Sequence, residues 1–139
     1  MTAITAAVNR QYKGVYKQRG IDMTASTTIV KGALVQVDAS TGLAKNAVTG
    51  VAADTVVGVA LETVTSAASG TYQVQVGYDT SWLFASATIA QSTVGDTMYI
   101  ADNNTVTPVS TTAAIVGKLE QFVTTTSGWV YVQGSSVAA

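Results

Sequence analysis

Two stretches of the sequence repeat the same residues in the same order, and this repetition limits the folds that the chain can adopt. "VGVALETVTSAASGTYQVQV" begins at Val57, and "VGKLEQFVTTTSGWVYVQ" begins at Val116. The two share Val-Gly near the start and then three further pairs at one offset: Leu61-Glu62 with Leu119-Glu120, Ser69-Gly70 with Ser127-Gly128, and Val74-Gln75 with Val132-Gln133. We therefore predict two pseudo-repeated halves, about 32–78 and 95–134. The alternative is that short β-hairpins converge on such patterns.

The local pattern within each half is that of short strands separated by turns. In "TYQVQVGY", Tyr72, Val74, Val76 and Tyr78 alternate with polar or small residues, which is typical of a strand with one buried face. "KGALVQVDASTGLA" and "VGDTMYIADNNTVT" each run from Gly through a strand, an Asp and a turn to a second strand. The only proline, Pro108, suggests a strand end or an edge. These features predict an all-β fold, a small barrel or sandwich.

The residue inventory excludes several kinds of active site. The chain contains no Cys and no His, so a Ser-His-Asp triad, a Cys-His pair and a typical zinc site are not available. Glu62 and Glu120 occupy the same place in the repeat, and equivalent structural roles explain them better than a catalytic carboxylate pair. "DNNT" lacks the central Gly and distal Glu of a calcium loop. We expect no enzyme activity, no catalytic or metal-binding residue and no cofactor.

Charged residues are few and unevenly distributed. They make up 11% of the chain, whereas about 25% is usual for a soluble domain. Either the surface carries little charge or other subunits cover much of it. The basic residues concentrate before residue 20, so we predict an extended basic N-terminal arm of residues 1–28 and a β-rich body of residues 29–139.

The arm contains the residues that we expect to make intermolecular contacts. Its basic and aromatic side chains interleave: Arg10, Tyr12, Lys13, Tyr16, Lys17 and Arg19. Docking onto a protein partner, for example by adding a strand to a sheet edge, competes with a solvated tail and with nucleic-acid binding. Four positive charges are modest and the body is mildly acidic, so we expect no nucleic-acid partner. No stretch has the length and apolar character of a membrane span, and the N-terminus is unlike a signal peptide.

One run of motifs resembles a known family. "VGVALE", "SGTYQVQVG", "IAQSTVGDTMYIADNNTVT" and "SGWVYV" are similar to the small capsid cement, or decoration, proteins of tailed bacteriophages. In particular they resemble the widespread cement family once known only as a domain of unknown function. The resemblance covers about residues 32–133 and depends on Gly, Val and turn residues. The basic arm and "YDTSWLFAS" depart from the family's pattern.

This resemblance implies a β-tulip-like module, commonly a homotrimer, on the outer surface of an expanded phage head. There it would bridge subunits of the major capsid protein, after synthesis in the host cytoplasm. We expect the six arm residues to contact the shell, with Tyr12 and Tyr16 as anchors. A tail or baseplate module is the alternative, and a carbohydrate-binding module that uses Trp82, Phe84 and Trp129 is a more distant one.

Overall fold

The computed structural model describes residues 3–68, 71–109 and 113–134, and these residues confirm the predicted all-β class. Apart from a short 3-10 turn at Gln91–Thr93, the regular elements are strands. They are β1 Lys17–Asp22, β2 Thr28–Ile29, β3 Leu34–Val37, β4 Ala44–Asn46, β5 Thr55–Ala60, β6 Val64–Thr65, β7 Gln73–Tyr78, β8 Thr80–Ser86, β9 Thr97–Ile100, β10 Thr105–Thr107, β11 Ile115–Thr124 and β12 Ser127–Val132.

Ten of the strands form two units with the same topology. Unit 1 is the sheet β1-β7-β5-β3-β4, and unit 2 is the closed barrel β8-β12-β11-β9-β10. Parallel pairing of β10 with β8 closes unit 2. A parallel bridge between Met23 and Ala44 joins β4 to the end of β1 at the corresponding place in unit 1. Each unit therefore contains the same five strands in the same order.

The main-chain hydrogen bonds repeat as well as the topology. Gly32 donates to the carbonyl of Ala60, and Gly95 donates to the carbonyl of Leu119. In both β5 and β11 the pairing register shifts by one residue immediately before a glycine, so Val57-Gly58 corresponds to Val116-Gly117. These correspondences indicate an internal duplication, and they include the Val-Gly pair of the sequence repeat.

Two of the other sequence pairs correspond differently. Ala60, rather than Leu61, takes the place of Leu119, so Leu-Glu is displaced by one residue. Tyr78 pairs with the first residue of β1 and Val132 with the first residue of β8, so Val74-Gln75 does not correspond to Val132-Gln133. The pair at residues 69 and 70 lies outside the described residues. Different turn lengths in the two units make any single offset incorrect.

The repeated units begin earlier than the sequence pattern indicates. β1 pairs with β7 along its whole length, as β8 pairs with β12 from Thr80 to Ala85. Residues 17–22, which the sequence assigns to the arm, therefore form the first strand of unit 1. We call residues 3–16, which precede this strand, the arm.

The hydrophobic core lies in two layers. Val35 and Val57 point into unit 1, whereas Leu34 and Val59 pack in the core that is continuous with unit 2. β3 and β5 are therefore buried on both faces, which explains the nearly continuous apolar run "VVGVA". By contrast, β12 alternates buried and half-buried residues, as expected for a strand with one face on the core.

Candidate docking surface on the N-terminal arm

The arm lies against its own chain and adds a strand to unit 2. Lys13 donates its main-chain N–H to the carbonyl of Ser81, and Leu83 donates to the carbonyl of Gln11, both at 3.0 Å. Tyr12 is therefore opposite Trp82 in an antiparallel bridge. The contact of β10 with β8 is confined to Ala85 and Ser86 at the end of β8 in the described register, so the arm covers the part of this edge that β10 does not reach.

Arg10 joins the arm to both units. Its guanidinium donates to the carbonyls of Gly32 and Leu83, each at 2.8 Å, and to Oδ1 of Asn104 at 2.6 Å. It also lies 4.4 Å from the centre of the Phe84 ring. Burial lowers the pKa of Arg10 to about 10, although the Asp102 carboxylate opposes this effect. The side chain remains charged at neutral pH, and its contacts position the arm.

Three aromatic rings fix the middle of the arm. Tyr12 and Tyr16 meet edge to face with ring centres 5.0 Å apart, and each also contacts Trp82 at 5.0 and 5.6 Å. Trp82 is buried, Tyr16 is half-buried, and Tyr12 is 47% exposed. An open cleft of about 290 Å³ lies beside these rings. Tyr16 therefore acts as an anchor within the chain, and Tyr12 presents part of its ring to solvent.

Lys13 contacts β11 and β12 of unit 2. Its Nζ lies 4.8 Å above the ring of Trp129 and 3.8 Å from the carboxylate of Glu120, and it donates to Oε1 of Gln121. These contacts hold Lys13 against the body of its own chain, so its charge is already partly neutralised.

Lys17 and Arg19 lie on β1. Lys17 forms an exposed ion pair with Asp79 at 3.2 Å. A hydrogen bond from Tyr131, followed by the one from Lys17, lowers the pKa of Asp79. The Nη1 atom of Arg19 is buried and has no hydrogen-bond acceptor among the residues that the structure describes.

The structure separates the six predicted contact residues into two groups. It brings four of them together around unit 2: Arg10, Tyr12, Lys13 and Tyr16. It places the other two, Lys17 and Arg19, on the first strand of unit 1.

Val15 belongs to this surface and was missed by the sequence analysis. It is 89% exposed, compared with 60% for Val109 and 59% for Ile115. Gly14 precedes it with φ +67° and turns the chain between the segment on β8 and the start of β1. The available signal was an apolar residue next to a glycine in a polar segment. We define the arm tip as Tyr12, Gly14 and Val15.

A buried polar network in unit 1 accounts for another group of charged residues. Lys45 Nζ lies 2.9 Å from the carboxylate of Asp54, which also accepts hydrogen bonds from Gln36 Nε2 at 2.8 Å and from the N–H of Ala39 at 2.9 Å. Burial acts to raise the pKa of Asp54, but these bonds outweigh it and hold the pKa below its usual value. The network holds the loop between β4 and β5 in place, so these charged residues have a structural role.

The carboxylate pair considered from the sequence has separate structural roles. Glu62 accepts a hydrogen bond from the N–H of Gln75, while Glu120 faces Lys13. Within the described ranges, no group of three or more Asp or Glu side chains is placed to hold a metal ion.

The aromatic residues considered for carbohydrate binding do not form an exposed platform. Trp82 and Phe84 are 3% and 1% exposed, and Trp129 lies beneath Lys13. These positions are those of core and arm-binding residues.

Comparisons with protein-family models, with characterised proteins and with solved structures returned no match to this chain. The part of the chain that the structure describes also contains no helix with the length and hydropathy of a membrane span.

Proposed function

We propose that the protein is a virion structural protein that decorates the outside of an expanded phage head and bridges subunits of the major capsid protein. The resemblance of residues 32–133 to phage cement proteins supports this role. The observation that carries it is the state of the arm, which is bound across both units while the apolar side chain of Val15 and part of the Tyr12 ring remain exposed. An exposed apolar tip on a fixed segment suits contact with another protein.

In this proposal the residues of the arm divide their roles. Tyr12, Val15 and the exposed Lys17 contact the shell, while Arg10 and Tyr16 hold the arm in place. We further propose that the protein acts as a homotrimer. Three weak contacts on one assembly reinforce one another because the second and third form at a high effective concentration.

The direct test is co-sedimentation with expanded heads of the virus that encodes the protein, at low and at high salt. We expect Val15→Asp to reduce binding strongly, because a carboxylate would enter an apolar contact. Val109→Asp is the matched control, since Val109 is a 60% exposed valine outside the arm. Point variants are preferable to deletion of residues 1–20, which would remove most of β1.

The outcomes of this test are distinct. If Val15→Asp and Val109→Asp reduced binding equally, the arm tip would not be the specific contact. Absence of binding by the unmodified protein would contradict the decoration role and favour a tail or baseplate protein. Light scattering measures the mass of the free protein. The trimer would be contradicted if the protein were a monomer both in solution and when bound to the heads.

A further inference from the structure

The first strands of the two units differ in how their outer edges are covered. Arg19 pairs with Val76, which in turn pairs with Ala60; Trp82 pairs with Val130, which pairs with Leu119. Because Ala60 and Leu119 are equivalent, Arg19 of β1 occupies the position that Trp82 occupies in β8. The arm lies against Trp82, so the corresponding edge of unit 1 is the one beside Arg19.

The main chain of β1 offers hydrogen bonds along this edge. Met23 donates to the carbonyl of Tyr72 on the β7 side. Since the direction alternates along an antiparallel strand, the N–H and C=O groups of Gln18 and Gly20 point away from β7. In the described part of the chain, no hydrogen bond to these outward groups is found. The equivalent groups in unit 2, on Ser81 and Leu83, are those that bind the arm.

Arg19 adds a chemical preference to this edge. Its Nη1 atom is buried without an acceptor in the described residues, and a buried donor of a charged group is costly to leave unpaired. The indole N–H of Trp82 also has no acceptor within the described ranges, but the indole is neutral, so leaving it unpaired costs less. In unit 2 the arm residue opposite Trp82 is Tyr12, whose ring packs on the indole. The residue opposite Arg19 in an added strand would meet the guanidinium instead.

We infer that the outer edge of β1 at residues 18–20 is a docking site for an extended segment of another protein that carries an acidic side chain opposite Arg19. Such a segment would add an antiparallel strand to unit 1, as the arm does to unit 2, donating to the carbonyl of Gln18 and accepting from the N–H of Gly20. Its carboxylate would pair with Arg19.

A second copy of β1 is not a suitable occupant. Antiparallel pairing of two β1 strands about this position would place Arg19 directly opposite the other Arg19, and like charges in that position are destabilising. The arm of a second copy is also unsuitable, because its corresponding residue is Tyr12 and the neighbouring Lys13 is basic. This inference depends on the duplicated fold and holds whether or not the protein binds a capsid.

The test uses a tethered peptide, because the chain has no Cys and Val15→Cys therefore gives a unique thiol close to the edge. The probe is Thr-Val-Glu-Val-Thr-Gly-Gly-Cys, because the C-terminus of an antiparallel strand lies at the Val15 end of β1. It competes with the same peptide carrying Lys in place of Glu, under reversible disulfide exchange. Tethering provides the effective concentration that a short strand needs. We expect several-fold more capture of the Glu peptide, and slowed hydrogen exchange at the amide of Gly20 in the adduct, because that N–H donates to the added strand.

Matched variants isolate the guanidinium. Arg19→Gln should bring the capture of the two peptides close to equality, and Arg19→Lys should retain part of the preference. Lys118→Gln, which removes an exposed positive charge from β11, should leave the preference unchanged. Equal capture by the unmodified edge, or unchanged exchange at Gly20 in the adduct, would overturn the inference. Concentration-dependent protection of the Gly20 amide without peptide would also overturn it by identifying a second copy as the occupant.

Discussion

The two units have the same five strands but are completed in different ways. Unit 2 closes as a barrel and receives the arm as an additional strand on β8. Among the residues that the structure describes, unit 1 closes through a single bridge, contains the polar network around Asp54, and leaves the outer edge of β1 uncovered at residues 18–20. The comparison shows that a duplicated topology can be preserved by a few main-chain features while the side chains and edges of each copy acquire separate roles.

The largest expected effect tests whether the two units are equivalent. A Cβ at Gly58 would lie 2.5 Å from the carbonyl oxygen of Gly77, and a Cβ at Gly117 would overlap the corresponding carbonyl of Tyr131. We expect Gly58→Ala and Gly117→Ala each to lower the free energy of unfolding by about 3 kcal/mol, measured by urea denaturation. Gly42→Ala is the control: it has open space and only the strain of φ +72°, so about 1 kcal/mol is expected. A small effect at only one of the two positions would contradict the equivalence.

A smaller effect is expected from removing the connection between the units. Arg10→Met should lower the free energy of unfolding by about 2–3 kcal/mol, because it leaves the carbonyls of Gly32 and Leu83 without their charged donor. Hydrogen exchange resolved by segment should show faster opening in the arm and around Gly32. Arg10→Lys preserves the charge but not the planar fork, so recovery of most of the stability by Lys would show that charge, rather than geometry, fixes the arm.

The fold was more predictable than the surface. The alternating residues of β7 and the pairs Val57-Gly58 and Val116-Gly117 are local signals, and they correctly predicted strands. They did not locate the start of either unit, because β1 and β8 begin at residues 17 and 80 rather than near 32 and 95. β1, "KQRGID", lacks that alternation, and it is a strand because β7 offers it an edge. Arg10 looks like an arm residue free in solvent, yet its partners lie 22 to 94 residues away. Contacts at such separations leave no local pattern, so the bound arm could not be predicted from the sequence.

The polar network of unit 1 predicts that the stability of the fold depends on pH. The pKa of Asp54 is lower in the folded chain than in the unfolded chain, whose value is about 3.9. Its stabilisation is therefore present above that pH and is lost as the pH falls through the folded value. Asp54→Asn should reduce the free energy of unfolding by about 2 kcal/mol at neutral pH, and by less below about pH 4. A difference from the unmodified protein that stays constant from neutral to acidic pH would exclude a role for the Asp54 charge.

The smallest expected effects compare the first residues of β1 and β8, which are equivalent positions. Thr80 is buried, and its hydroxyl donates to the carbonyl of Lys13 in the arm. Thr80→Val should therefore cost about 1 kcal/mol, because it leaves that carbonyl without its donor. Lys17 is exposed and forms a surface ion pair, so Lys17→Gln should change the free energy of unfolding by less than about 0.5 kcal/mol, and by less still in high salt. Urea denaturation at two salt concentrations measures both. If Lys17→Gln were the more costly of the two, the edge of β1 would support the fold as the covered edge of β8 does, and it would be less free to receive a partner.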